Sequence, residues 1–311
     1  MRVSLFRLAF PEGFHIAPHE LSLNETLPMI PSDTLFSALV HCWLRHGGEV
    51  SSWLDPFVQG GPPFLLTSAF PWVDDEPWFP KPLSFQPTPQ WKTVSFLPEA
   101  LFFRAAKGKL LDEPPPELEE TTWKVEQIPR VTLDRITLRS NLFYIARVRF
   151  RPGCGLWFGI AWLRPEMSCG SCSFREALEL ALAELAETGI GGDRGMGYGR
   201  FRFEHVDDVS WPDPAATLGV LLSRLWPRPE EVELLRRSQA WRLTEVGGVA
   251  ETAVGHVRRL RVRLVVEGSV VPGDLTGGMV DVAPEDFAKK HHPIWRYGLA
   301  FLYPWEVDHG P

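Results

Sequence analysis

GIGGDRGMGYGRF, residues 189–201, decides how this chain is read, because of what stands on either side of it. Before it lies FREALELALAELAET (174–188), with apolar residues at Phe174, Leu178, Leu182 and Leu185, the spacing of one helix face. Ser173 and Glu176 form a capping-box start for that helix. After it, YGRFRFEHV (198–206) alternates as a strand does. The order is helix, glycine loop, strand. A dinucleotide fingerprint or a phosphate-cradling P-loop requires strand, loop, helix, so that the phosphate meets a helix N-terminus. The P-loop also fails on chemistry, since no Gly-Lys-Ser/Thr is present. What remains is a loop with five glycines from Gly191 to Gly199, plus Arg194 and Arg200. A polymer backbone can approach such a loop closely and meet exposed amides and guanidinium groups. The plainer reading is a glycine stop to the helix followed by a turn.

The composition bounds the rest. A length of 311 residues suggests two units, and 44% apolar residues with 12% aromatics support a large core. No window offers about 18 uninterrupted apolar residues, so no spanning helix is expected. The first residues, MRVSLFRLAFPEG, lack the pattern of an export signal, and a cytoplasmic location is expected. Cys169 and Cys172 make a lone CxxC without a second pair. A zinc site would need two more ligands, from Cys154, His291 or His292, and a redox site would use the helix start after Cys172. Neither is required, so no metal and no cofactor is expected.

The net charge of −7 argues against a general nucleic-acid binder. The basic residues are clustered, however. Arg130, Arg135, Arg139, Arg147, Arg149 and Arg151 fall between Ile128 and Arg151 with only Asp134 opposing, and Arg258, Arg259, Arg261 and Arg263 follow with no acid among them. Two such stretches suggest a basic groove on a body that otherwise repels polyanions.

Along the chain, RVSLFRLAF (2–10) predicts a strand. PSDTLFSALVHCWLRHGG (31–48) predicts a helix capped by Ser32 or Asp33 and closed by Gly47 and Gly48. FLLTSAF (64–70) reads as a strand, and Pro71 to about Gln127 as a long irregular insertion. LFYIARVRF (142–150) and GLWFGIAWL (155–163) read as strands on either side of the turn RPGCG. The second half carries strand patterns at 241–248, 257–266, 278–282 and 295–303, and a short helix at 229–237. Residues 218–227 fit helix or strand, and WPDP (211–214) marks a break. The expected fold is α+β: two ferredoxin-like units, 1–206 and 207–311, with a long insertion in the first.

Several motifs, in order, carry a resemblance: IPSDTLFSALVH (30–41), FPKPLSF (79–85), IPRVTLDRITLRS (128–140), TGIGGDRGMGYGRF (188–201), LLSRLWPRPEE (221–231), EGSVV (267–271) and HPIWRYGLAF (292–301). With these the chain resembles, over nearly its whole length, the Csm-complex subunit that caps the 5′ end of the guide RNA in type III-A CRISPR effectors. That subunit is a repeat-associated mysterious protein, or RAMP. The resemblance implies two RRM-like units, with a β-hairpin thumb projecting from the first, somewhere within 80–130. It implies a grip on the repeat-derived 5′ tag of the CRISPR RNA. It also implies docking to the large polymerase-like subunit and to a backbone RAMP subunit. By motif match, the RNA-facing positions are Ser32, Asp33 and Thr34; Arg130, Arg135 and Arg139; and Gly191, Gly192, Arg194, Gly195, Gly197, Tyr198 and Arg200. Tyr198 could stack a base or fill the sheet edge.

Family members of this type are not themselves nucleases, and no catalytic residue is expected. A metal-free ribonuclease would need an acid–base pair, usually including His. His15 and His19, soon after the first strand, are the positions for an alternative reading as a RAMP endoribonuclease that processes precursor CRISPR RNA.

Overall fold

The computed structural model describes the chain except residues 20–21, 86–87, 110, 112, 117, 119–120, 134–138, 214–217, 253 and 307–311. It is a mixed α and β fold whose paired strands are antiparallel. The main sheet runs Arg202–Ser210, Arg2–Ala9, Gly155–Trp162, Phe70–Val73, Glu76–Pro80, Phe96–Pro98, and Phe64–Leu66 also pairs with Gly155–Trp162. Arg2–Ala9 lies inside it, between Arg202–Ser210 and Gly155–Trp162. The strand after the glycine loop starts at Arg202 and continues to Ser210, beyond the expected end of the first unit at 206.

The helices Ser32–Arg45 and Phe174–Thr188 pack on each other. Leu35, Phe36, Leu39, Cys42 and Trp43 bury one face of the first; Phe174, Ala177, Leu178, Ala181, Leu182 and Leu185 bury one face of the second. The Ser173–Glu176 capping box forms on both sides, as the sequence predicts. The cap of the first helix does not. Pro31 occupies the N-cap position and no side chain caps the helix; Ser32 and Asp33 are already inside it.

The segment from Pro71 is not an irregular insertion. Its rings have too much apolar area to leave in water: Trp72, Trp78, Phe79, Trp91 and Phe96 are buried. Each such ring is worth roughly 1.5–3 kcal/mol of burial, enough to draw the segment onto the sheet edge as strands 70–73, 76–80 and 96–98. A helix, Glu99–Ala106, follows. A long hairpin begins inside the 80–130 span and runs beyond it. Its strands are Trp123–Leu133 and Ser140–Phe150, paired throughout from Trp123↔Phe150 to Leu133↔Ser140. Residues 142–150 therefore pair with 123–131, while 155–162 belongs to the main sheet.

In the second half, Leu218–Leu221 is a strand between Val270–Pro272 and Leu302–Trp305. The 229–237 segment is a 3₁₀ helix. The expected strand at 257–266 is two: Gly255–Arg258 pairs with Val249–Thr252, and Val262–Val265 pairs with Leu243–Val246. Bridges Leu225↔Val265 and Ala240↔Val270 tie these pieces together. One apolar core runs through both halves: Phe36 stacks on Tyr297 at 4.7 Å, and Trp211 meets Phe301 at 5.9 Å and Tyr303 at 5.6 Å.

Candidate nucleic-acid interface

The glycine loop begins where the helix C-terminus is closed by Gly189, with φ 81°, whose N–H donates to Leu185 O. The chain then folds back on itself and onto the segment after the first strand. Ile190 N donates to Gly199 O, Gly199 N to Gly13 O, and Gly192 N to His15 O. These bonds use the amides at the ends of the loop. Its crest is a single 3₁₀ turn, Arg194–Met196, between Asp193 and Gly197, both left-handed. Arg194, Gly195, Met196 and Arg200 are exposed.

Two glycines separate the causes. Gly199 has φ 76°, and a Cβ there would sit 2.0 Å from Ile190 O, so glycine is required by the fold. Gly195 has no left-handed φ, and a Cβ there meets nothing within 4 Å. The fold gives no reason for glycine at 195.

The hairpin leans over this loop. Arg130 forms an ion pair with Asp193 at 2.6 Å. Tyr198 lies beneath two guanidinium groups, Arg147 at 4.7 Å and Arg130 at 5.6 Å from its ring centroid. Its ring thus bridges the glycine loop and the hairpin. Between loop, hairpin and first helix lies a cavity of about 320 Å³ lined by His15, Thr34, Ile145, Gly191, Gly192 and Asp193, among others. Thr34, Gly191 and Gly192, expected on the RNA side, do meet there. Arg139 is exposed near the hairpin tip, and Arg135 lies outside the described residues.

Ser32 and Asp33 do not reach this surface. They are 0% and 1% exposed, held where the first helix meets the second half. Arg224 approaches Asp33 Oδ1 at 3.4 Å, and Arg296 donates to Oδ2. Burial alone would raise the Asp33 pKa; the charges of Arg224 and Arg296 outweigh it and hold the carboxyl below its ordinary value. Arg224 N donates to Ser32 Oγ, Ser32 N to Ser68 Oγ, and Ser68 Oγ to Glu267. Arg296 also donates to Gly247 O at 2.7 Å. The four motifs that contain Asp33, Arg224, Glu267 and Arg296 therefore converge on one buried ionic junction. Ser32 and Asp33 are corrected from RNA-facing to structural positions.

The basic stretches are likewise more neutral than the local sequence implies. Besides Arg130–Asp193, Arg147 and Arg149 share Glu126, Arg151 pairs with Asp74, and Arg261 and Arg263 share Glu245. Arg194 and Arg200, on the loop crest and just after it, form no ion pair among the described residues.

His15 is 5% exposed, and its Nδ1 lies 2.8 Å from Ala146 O. A carbonyl oxygen only accepts, so the proton sits on Nδ1. Asp193, the carboxylate that shares the cavity, is committed to Arg130. Cys169 and Cys172 face each other across a hairpin of two short strands. Burial raises both thiols, Cys169 to about 11, which opposes the low-pKa thiolate a redox site needs. No group of three or more His, Cys, Asp or Glu able to hold a metal occurs among the described residues. None of the described helices is long and apolar enough to cross a membrane.

A family model described as the CRISPR Csm4 C-terminal domain matches residues 215–305. Over 294 residues the chain is 30% identical to the CRISPR system Cms protein Csm4 of Thermococcus onnurineus (strain NA1), covering 90% of this chain and 92% of that protein. The chain belongs to the Csm4 family. A Csm4 protein of Mycobacterium tuberculosis (strain CDC 1551 / Oshkosh) is 26% identical over 316 residues, 96% of each. The fold matches a chain of the crystal structure of a Csm1–Csm4 cassette in complex with cA4, with TM-score 0.62, 21% identity and coverage of 99% and 100%. It also matches a chain of a Csm3–Csm4 subcomplex from the type III-A CRISPR-Cas interference complex, with TM-score 0.62, 15% identity and the same coverage. In this Csm4-family chain the ionic junction at Asp33 joins the first helix to Arg224 and Arg296 of the second half, and the glycine loop lines the cavity beside the hairpin.

Proposed function

We propose that this chain is a non-cleaving RNA-holding subunit of a type III-A Csm effector, acting in the cytoplasm. It seats the repeat-derived 5′ tag of the CRISPR RNA against the glycine loop. It docks a large polymerase-like subunit on one side and a backbone RAMP subunit on the other. Family membership and the likeness to chains from Csm1–Csm4 and Csm3–Csm4 assemblies support the partners. The sheet order supports reading the first half as a ferredoxin-like unit: with the additional edge strands set aside, the last, first, third and second strands lie side by side. On the same reading the second half, from about residue 207, is a compressed copy, and the hairpin 123–150 is the thumb.

The observation that carries the RNA assignment is the crest at Arg194–Gly195–Met196. It is exposed, cationic, free of bulk where the fold does not demand glycine, and set above a cavity that includes Thr34. Single-stranded RNA is gripped by such combinations of close backbone approach and guanidinium groups. Replacing Arg194 and Arg200 together by Glu is expected to weaken tag RNA binding. The slope of log affinity against log salt should fall by roughly 0.7 for each phosphate that is no longer neutralised. Unchanged affinity with unchanged slope contradicts the assignment.

The endoribonuclease alternative makes a different prediction. Repeat RNA incubated with the purified chain without metal is expected to stay intact, and His15→Ala should alter nothing in that assay. Cleavage that disappears in His15→Ala would establish the nuclease reading instead.

A further inference from the structure

The geometry points to a second anion site on this chain, at the base of the hairpin, built by Lys124, Arg149 and Arg151. Its ligand is the phosphate chain of single-stranded RNA. The site rests on the function proposed for the glycine loop, because it continues the surface that the loop begins.

Strand alternation places Thr122, Lys124, Glu126, Ile128 and Arg130 on one face of the hairpin. Opposite them, in the same order, stand Arg151, Arg149, Arg147, Ile145 and Phe143. The face is the one turned to the glycine loop: Arg130 holds Asp193, Arg147 covers Tyr198, and Ile145 lines the loop cavity. Arg149 stands four residues beyond Ile145 along the strand, about 13 Å at 3.3 Å per residue. There a second cavity, about 220 Å³, opens between Lys124, Glu126, Arg149 and Arg151, with Trp123 and Phe150 in its wall.

The charge balance at this cavity is positive. Lys124, Arg149 and Arg151 line it with one carboxylate, Glu126, while Asp74 pairs with Arg151 from outside the lining. Glu126 is drawn mainly to Arg147, leaving Arg149 at 3.7 Å. Lys124 is exposed, and its ammonium forms no ion pair or hydrogen bond among the described residues. Three cations converging on one concavity, on a chain of net charge −7, favour a polyanion over a neutral ligand. Cross-strand neighbours at 124 and 149 lie about 5 Å apart at Cβ, a spacing that lets both reach one phosphate. A strand of RNA that leaves the glycine loop along this face meets the cavity next. An acidic protein surface would fit a flat patch equally well; the concavity and its continuity with the loop favour RNA.

The test uses the full chain with single-stranded RNA bearing the 5′ tag, titrated at several salt concentrations, on Lys124→Glu with Arg149→Glu and, separately, on Arg194→Glu. Both hairpin residues are exposed, and melting temperature controls for folding. The expected result is a fall in affinity of about tenfold or more for the hairpin pair, with a salt slope reduced by roughly 0.7 for each phosphate released. If the hairpin pair leaves affinity and slope unchanged while Arg194→Glu weakens binding, the second site is wrong and the loop reading stands. If the hairpin pair weakens binding and Arg194→Glu does not, the site stands and the loop reading falls. If the hairpin pair spares RNA binding but releases a protein subunit from the assembled complex, the cavity is a protein contact and the proposal is overturned.

Discussion

Asp33→Ala is expected to lower the melting temperature by about 10 °C. Removing one partner of a buried ionic group typically costs 3–5 kcal/mol, and each kcal/mol moves the midpoint of a chain this size by a few degrees. The cause is what the substitution leaves behind. Arg224 and Arg296 remain buried with their shared carboxylate gone, and among the described residues Glu267, at 3.7 Å, is the carboxylate left to Arg224. Asp33→Asn keeps the shape and loses the charge, so it should lose most of the same stability. The pH dependence follows from the direction of the shift. Because folding lowers the Asp33 pKa below its ordinary 3.8, its contribution is complete above that value and disappears as pH falls further. The gap between wild type and Asp33→Asn is therefore expected to persist from neutral pH to about pH 4 and to close below it. Tag RNA affinity, measured where the variant is still folded, should change by less than about twofold, a difference of under ~0.5 kcal/mol. A variant that binds tag RNA poorly yet melts normally would return Asp33 to the RNA surface.

The second large effect separates two glycines in one loop. Gly199→Ala is expected to destabilise the chain severely, measured as a depressed melting temperature or loss of soluble protein. A left-handed residue with a Cβ costs roughly 1–3 kcal/mol before any clash is counted. Here the Cβ also meets Ile190 O at 2.0 Å, a backbone atom that cannot move without breaking the Ile190–Gly199 and Gly199–Gly13 hydrogen bonds. Gly195→Leu should leave the melting temperature within a few degrees, since its φ is ordinary and its surroundings are open. The same variant should weaken tag RNA binding by about tenfold or more, on the order of 1.4 kcal/mol, if RNA lies on the crest. Gly197 mixes both causes, with φ 89° in open space, and is less informative.

The sequence is legible wherever neighbouring residues determine the structure. The Ser173–Glu176 box needs only three residues of context, and the helix stop at Gly189 needs one turn. The apolar face of 32–45 follows from its spacing, and the loop's place between helix and strand from order alone. Local patterns mislead where a distant partner decides. Asp33 looks like a cap because caps are local; its arginines are 191 and 263 residues away in sequence. Arg130 and Arg147 look like free cations in a stretch with one acid, yet Asp193 and Glu126 face them from another loop and another strand. Asp193 itself, between the expected RNA-facing residues Gly192 and Arg194, carries no signal of its own, because its role needs the hairpin to lean in. The 71–98 segment looks irregular through its prolines, while its buried rings make it part of the sheet.

The proposed function requires RNA to lie across the crest of the glycine loop. Met196, 62% exposed at that crest, is the position to ask. A diazirine side chain placed there, in the complex purified with its guide RNA, should cross-link on illumination to nucleotides of the 5′ tag. Cross-links confined to protein, or to RNA only outside the tag, would contradict the account.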